Sequence, residues 1–333
     1  MAAMTSGSGG ARRGGIDLGG TKIQTVVVDD ANVVLGEARR PTPTEGGPPE
    51  IARAMAGAMA EAAQQAGITT DELAGVGVGS PGDVNSDRGT VTSALNLTGW
   101  HDEYALGATL EEALGTRAWL GNDVQVATDA EFELGVGRPY RSLLGVFWGT
   151  GVGGGIVLDG RPWTGRGAAG EIGHVVVRIG GERCGCGRLG CMEAYAGRAS
   201  MERRARKRAK KGAKTELFEI MKERGRTRLT SGVWARALKR GDPLAVELID
   251  EAIEALGAGV GSVQNVLDVE AIVIGGGLGI RLGEPYAERI ADAMLPHLFD
   301  DAHPPETHVA ALGDLGGAIG AALLARPART AAV

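Results

Sequence analysis

Aromatic residues make up only 4% of the sequence, and cysteine occurs three times. All three cysteines fall within the eight residues Cys184 to Cys191. An odd number so closely spaced does not make a disulfide framework, so a reducing, cytoplasmic setting is expected. Long hydrophobic runs are missing as well. The opening MAAMTSGSGGARRGG reads as neither signal peptide nor anchor, and residues 1–13 are expected to form a loose tail. The longest late apolar run, Leu315 to Ala325, is too short to span a bilayer. Basic charge is not in excess: a net charge of −6 argues against a dedicated nucleic-acid or membrane-surface protein.

Glycine is what the chain has in quantity, 56 among 333 residues, and it implies many tight turns and close backbone approaches. At 43% hydrophobic and 23% charged the composition is globular, and the length implies two domains. Residues 14–29, GGIDLGGTKIQTVVVD, predict a β-hairpin bent around its glycines. Pro41 to Pro49 reads as a loop. Ile51, Met55, Met59 and Ala62 then recur at helical spacing over residues 49–65, with Gly67 just past the end. Short apolar strands are expected at 75–79, 117–120, 143–148, 156–158 and 269–274. Helices are expected at 107–115, 124–134 and 198–230, after the Asp242-Pro243 start, and in an alanine-rich stretch ending near Ala325. This mixture places the chain in the α/β class. Glycine-bent hairpins recur at Asp17-Leu18-Gly19-Gly20-Thr21 and at Gly149-Thr150-Gly151, which suggests two related halves facing each other across a cleft.

Residues 170–193, GEIGHVVVRIGGERCGCGRLGCME, concentrate the chemistry. His174 is followed by Cys184, Cys186 and Cys191, with nine, one and four residues between successive members. One imidazole and three thiols are a full tetrahedral set for structural zinc. Three buried free cysteines are the plainer alternative. Glu171 and Glu193 flank the cluster.

Other motifs are weaker. Gly149 to Gly154 satisfies G-x-G-x-x-G, but a strand follows it, so these glycines turn a hairpin and do not open a dinucleotide-binding helix. Gly19-Gly20-Thr21-Lys22 lacks the G-K-[ST] order of a P-loop. Both turns nonetheless offer backbone N–H groups and a hydroxyl, Thr21 or Thr150, as an anion nest requires. Asp123, just ahead of a helix, reads equally as an N-cap or as a general base at a strand-to-helix corner. The run MERRARKRAKKGAK, residues 201–214, carries eight basic side chains against one acidic and reads as a solvated helix face in an acidic chain. His101, His297, His303 and His308 show no partner spacing and are expected at the surface.

Taken together, DLGGTK (17–22), GND (121–123), GTGVGGGI (149–156), GEIGH (170–174), CGCGRLGCME (184–193) and VIGGG (273–277) resemble the ROK family of sugar kinases and sugar-responsive repressors. The resemblance implies a two-domain actin-like (RNase H-like) ATPase fold with an interdomain cleft. It divides the chain into residues 14–121 with 312–330, and 122–311, the larger domain carrying the zinc site. It also implies ATP-dependent phosphorylation of glucose at its 6-hydroxyl, with Mg2+ and structural Zn2+. By analogy Asp123 is the catalytic base, and Asn96, Asn122, Asp123, Glu171, His174 and Glu193 contact the sugar, with the Pro81-Gly82 backbone beside them. Asp17, Gly19, Gly20, Thr21 and Lys22 match the first phosphate motif, Thr150 and Gly151 the second, and Gly275, Gly276 and Gly277 the adenosine side. His174, Cys184, Cys186 and Cys191 match the zinc ligands. Mannose or N-acetylglucosamine as the acceptor and a non-catalytic sugar-responsive regulator are the alternatives. A dimer or tetramer is expected, with no nucleic-acid or membrane partner, since only 13 residues precede Gly14 and no helix-turn-helix fits there. The helix sequence VQVATDAEFELG after Asp123 and the turn Gly-Ser-Pro-Gly depart from the family's usual pattern and bear on substrate preference.

Overall fold

The computed structural model describes residues 10–94 and 97–326. It divides into two compact units: one takes the chain up to Ala130 and from Asp314 onward, the other is Glu131–Gly313. The division falls inside the helix Asp123–Leu134, a few residues beyond the 121/122 point read from the sequence, so Asp123 belongs to the first unit.

The first unit is built on a five-stranded sheet. Its strands are β1 (Arg13–Leu18), β2 (Lys22–Val28), β3 (Val34–Pro41), β4 (Val76–Ser80) and, after a short ribbon of β5 (Asp83–Asn85) and β6 (Thr90–Thr92), β7 (Ala118–Asn122). The order is β3-β2-β1-β4-β7. The first three strands are antiparallel, β1 and β4 are parallel with Gly15 opposite Gly77, and β4 and β7 are parallel with Ser80 opposite Asn122. The run Ile23 to Val28 is buried throughout because successive side chains meet different layers. Ile23 and Val27 join the core under the helix Gly47–Gln65, while Val26 and Val28 pack with Ala318 and Ala322 of the helix Gly316–Leu324. That second helix lies so close that a Cβ at Gly15 or at Gly77 would collide with the carbonyl oxygen of Ala318 or Ala321.

The tail expectation needs correcting at its end. Residues 1–9 lie outside the described residues, but Arg13 opens β1 and is buried. Its guanidinium donates to the Ala322 and Asp29 carbonyls and to Asn32 Oδ1.

The second unit repeats the plan. β8 (Leu143–Trp148), β9 (Val152–Leu158), β10 (Arg161–Pro162), β11 (Ala271–Gly275) and β12 (Glu306–Val309) form a sheet of order β10-β9-β8-β11-β12. The first three strands are again antiparallel and the last two join in parallel. Trp148, Trp234, Leu248, Leu256 and Ile274 share its main core. Asp242 caps the 25-residue helix Pro243–Leu267 as expected, accepting from the Ala245 N–H at 2.8 Å. The stretch 198–230 is not one helix: Arg198–Lys210 and Leu217–Glu223 are separated by a break at Gly212, whose φ is +94°. The basic face is also less uniformly solvated than expected. Arg204 is buried against Glu251, and Arg208 pairs with Glu247 and Glu251. His308 is half-buried and sits 2.6 Å from the Tyr140 hydroxyl, which corrects its surface assignment. Among the described residues no helix is long and apolar enough to cross a membrane.

Because the helix Gly316–Leu324 has no room to retreat from β1 and β4, Gly15→Ala and Gly77→Ala should each destabilise the first unit by about 1–3 kcal/mol. Urea titration monitored by circular dichroism checks this; unchanged midpoints would mean that the helix is not seated on those glycines.

Candidate functional site

In the first unit the β1–β2 turn carries the first glycine motif. Gly19 N–H bonds to the Lys22 carbonyl at 2.9 Å, and the Thr42 hydroxyl donates to the Gly19 carbonyl at 2.6 Å, so the turn is held from outside the hairpin. Lys22 Nζ donates to Gln24 Oε1 at 2.7 Å and lies 3.4 Å from Asp314. Asp17, the penultimate residue of β1, faces the start of the returning helix at Gly317. Burial pushes its carboxyl up to about 6; Lys22 acts in the opposite direction and Asp314 adds to the rise.

The β7 corner places Asn122 and Asp123 in the same unit. Asn122, and not Asp123, is the principal cap: its Oδ1 accepts from the Val124 and Gln125 N–H groups at 3.0 and 3.1 Å. Asp123 is the first residue of the helix, with Oδ1 3.0 Å from the Val124 N–H. Pro81 and Gly82 follow β4 directly, and Asn96 lies outside the described residues.

In the second unit the β8–β9 turn carries Thr150 and Gly151. It lies against Gly277, whose backbone nitrogen is 3.9 Å from where a Gly149 Cβ would stand, so the second glycine turn and the Gly275–Gly277 stretch come together. Two residues that the sequence did not single out join them: Arg198 donates to Thr150 Oγ1 and to Ser231 Oγ, both at 2.8 Å. A lone arginine opening a helix after Gly197 was the available signal, but it is too common to mark a site.

Glu193 connects this turn to the cysteine cluster. Its Oε2 accepts from the Val152 N–H at 3.1 Å, and its Oε1 is 3.5 Å from Cys184 Sγ. The ligand atoms of His174, Cys184, Cys186 and Cys191 all lie within 4.8 Å of one another. Cys186 and Cys191 sulfurs are 3.8 Å apart, as are Cys184 Sγ and His174 Nδ1. Zinc–sulfur bonds of about 2.3 Å give tetrahedral edges of about 3.8 Å, so this donor set fits zinc. Gly190, at φ +81°, closes the knuckle where a Cβ would strike the Arg178 carbonyl. Burial pushes the Cys184 thiol up to about 12 and raises Cys191 too. At Cys186 burial is outweighed by hydrogen bonds from Arg188 and the neighbouring thiols, and the thiol falls to about 7. The other imidazole nitrogen of His174, Nε2, lies 3.8 Å from Glu171 Oε2.

Residues 13–328 match the model of the ROK family. The chain is 34% identical to the glucokinase of Streptomyces coelicolor over 94% of its own length and 96% of the relative's. It is 32% identical to the N-acetyl-D-glucosamine kinase of Pectobacterium atrosepticum, covering 93% and 97% respectively. Among solved structures, the ROK glucokinase of Streptomyces griseus in complex with glucose and AMPPNP superposes with a TM-score of 0.81 at 30% identity, covering 94% of this chain and 99% of that one. The fold is the actin-like ATPase fold of these kinases.

Asp17 sets a pH dependence. A carboxyl with a folded pKa near 6 and an ordinary unfolded one near 3.8 lends stability below the unfolded value, and loses it as pH rises through 6. Asp17→Asn, which mimics the protonated side chain, should therefore melt higher than the parent above pH 6, and the gap should close towards pH 4. Thermal denaturation across that range measures it; a gap independent of pH would rule out Asp17 as its source.

Proposed function

The chain belongs to the ROK family, and on that premise we propose that it transfers the γ-phosphoryl group of ATP to the 6-hydroxyl of glucose. The observation that carries the reading is the tie between the cysteine cluster and the second glycine turn through Glu193. In this reading that tie links the sugar-binding imidazole and Glu193 to the turn that would hold phosphate.

In this reading Asp123 accepts the proton of the 6-hydroxyl as phosphoryl transfer proceeds, a contribution of about 10²- to 10⁴-fold. Since Asn122 Oδ1 is committed to the helix, its Nδ2 is the group it offers the sugar. Glu171, Glu193 and His174 hold the ring hydroxyls, with Asn96 as a further contact. Structural zinc on Cys184, Cys186, Cys191 and His174 Nδ1 fixes the ring, so that Nε2 serves the substrate. The nucleotide's phosphates lie at Asp17, Gly19, Gly20, Thr21 and Lys22 and at Thr150 and Gly151, with adenosine towards Gly275–Gly277. Magnesium, when bound with the nucleotide, supplies neutralisation of phosphate charge. The setting we propose is cytoplasmic, in glycolysis, with the chain in a dimer or tetramer. The resemblance to an N-acetyl-D-glucosamine kinase favours a second reading in which the acceptor is another hexose.

Following ADP release across a panel of hexoses with ATP and magnesium tests the proposal; no ADP with any sugar would leave a binding protein or regulator. Asp123→Asn should lower kcat by at least about 10²-fold while calorimetry still detects glucose. Cys186→Ser should lose its bound zinc, measured by elemental analysis, and raise the KM for glucose; a zinc-free variant with unchanged KM would separate the metal from the sugar.

A further inference from the structure

Arg198 touches the second glycine turn with a formal positive charge and has no role in the reading above. It opens the helix Arg198–Lys210, where its own N–H bonds to the Gly149 carbonyl at 3.1 Å and that of Ala199 to the Thr150 carbonyl at 3.0 Å. The turn is thus pinned to the helix start. The guanidinium then reaches Thr150 Oγ1 with Nη2 and Ser231 Oγ with Nη1. Ser231 in turn stands 3.6 Å from where a Gly277 Cβ would be.

The partners of this cation are wrong for a structural ion pair. Among the described residues no carboxylate lies within 4.0 Å of it, the salt-bridge distance. The nearest acidic influence, Glu202, is engaged by Arg206 and by the Leu229 N–H. Burial nevertheless disfavours the charge, and Arg228 adds to the effect. A guanidinium has five N–H donors, and two hydroxyl acceptors use only part of that set. Each hydroxyl that accepts from the cation keeps its own proton to donate outward. The assembled group is therefore rich in donors and carries positive charge. A partly desolvated cation of this kind is stabilised by an anion with several oxygens.

We propose that Arg198 binds the phosphate chain of the nucleotide, with Thr150 and Ser231 as hydroxyl donors on either side of it. The proposal rests on the kinase reading for the identity of the anion. It adds a residue and a direction: the phosphates run from the Thr150 turn past Arg198 towards Ser231 and Gly277.

The test uses the full chain and three variants, Arg198→Ala, Arg198→Lys and Ser231→Ala. Calorimetry with adenosine, ADP and ATP is run beside steady-state kinetics at saturating glucose. Arg198→Ala should weaken ADP and ATP binding and raise the KM for ATP by roughly 10- to 100-fold, the range for losing hydrogen bonds from a charged group. Adenosine affinity and the KM for glucose should not move. Arg198→Lys keeps the charge but not the fork, so it should recover part of the loss, and Ser231→Ala should show a smaller loss of the same kind. Equal weakening of adenosine, glucose and ATP, or ATP binding like the parent's in Arg198→Ala, would overturn the proposal in favour of a purely structural strut. A parent that binds no nucleotide overturns it as well. A parent that binds ATP through Arg198 yet phosphorylates no hexose would sink the kinase reading and leave this one standing.

Discussion

One carboxylate sits where three parts of the second unit meet. Glu193 accepts the Val152 N–H with one oxygen and stands beside the Cys184 sulfur with the other. Gly151 and Gly197 crowd its stem, and a Cβ at either would invade it. A shift of this side chain would move the glycine turn, the cysteine knuckle and the helix start together. The glycines here are small because a charged group needs the space.

The two sheets repeat one topology, three antiparallel strands followed by two parallel ones, and each places a glycine turn between its first two strands. The copies diverged in what was added around them. The first holds its turn with Thr42, Lys22 and Gln24 and receives Asp17 in a low-polarity setting. The second holds its turn with Arg198 and Glu193 and carries the cysteine knuckle, whose Tyr195 ring is flanked by the guanidiniums of Arg178 and Arg204 at 5.0 and 5.4 Å. Each turn thus has one acid and one cation beside it, Asp17 with Lys22 in the first copy and Glu193 with Arg198 in the second.

Much of this was legible in the chain. Pattern and glycine spacing located both hairpins, the helix Gly47–Gln65 within two residues, and the capped start of Pro243–Leu267. The four donors of the knuckle were readable because thiols and imidazole announce their chemistry by type and close spacing. β3 was missed because Val34–Pro41 alternates only weakly, with charged Glu37, Arg39 and Arg40 on an edge strand. The helix Ser231–Lys239 has no side-chain cap and takes its order from packing, whereas Glu284–Met294 was overlooked although Pro285 marks its first turn. The cap at the β7 corner fell to Asn122 because its carboxamide, one residue earlier, meets two orphan N–H groups at once. Arg198 and Ser231 stand 33 positions apart, and only the fold brings them together.

The path of the chain through its two units has a kinetic consequence. The second unit is one continuous stretch, Glu131–Gly313, whereas the first needs the helix Gly316–Leu324 to cover a face of its sheet. Arg13 at one end of that unit waits for Ala322 at the other, 309 positions later. During synthesis the middle of the chain can therefore reach its native packing while the beginning still exposes an uncovered apolar sheet face. Loop-closure entropy adds little to that delay compared with the wait for the ribosome. Val26 and Val28 of the N-terminal sheet thus wait for Ala318 and Ala322 until the chain is nearly complete.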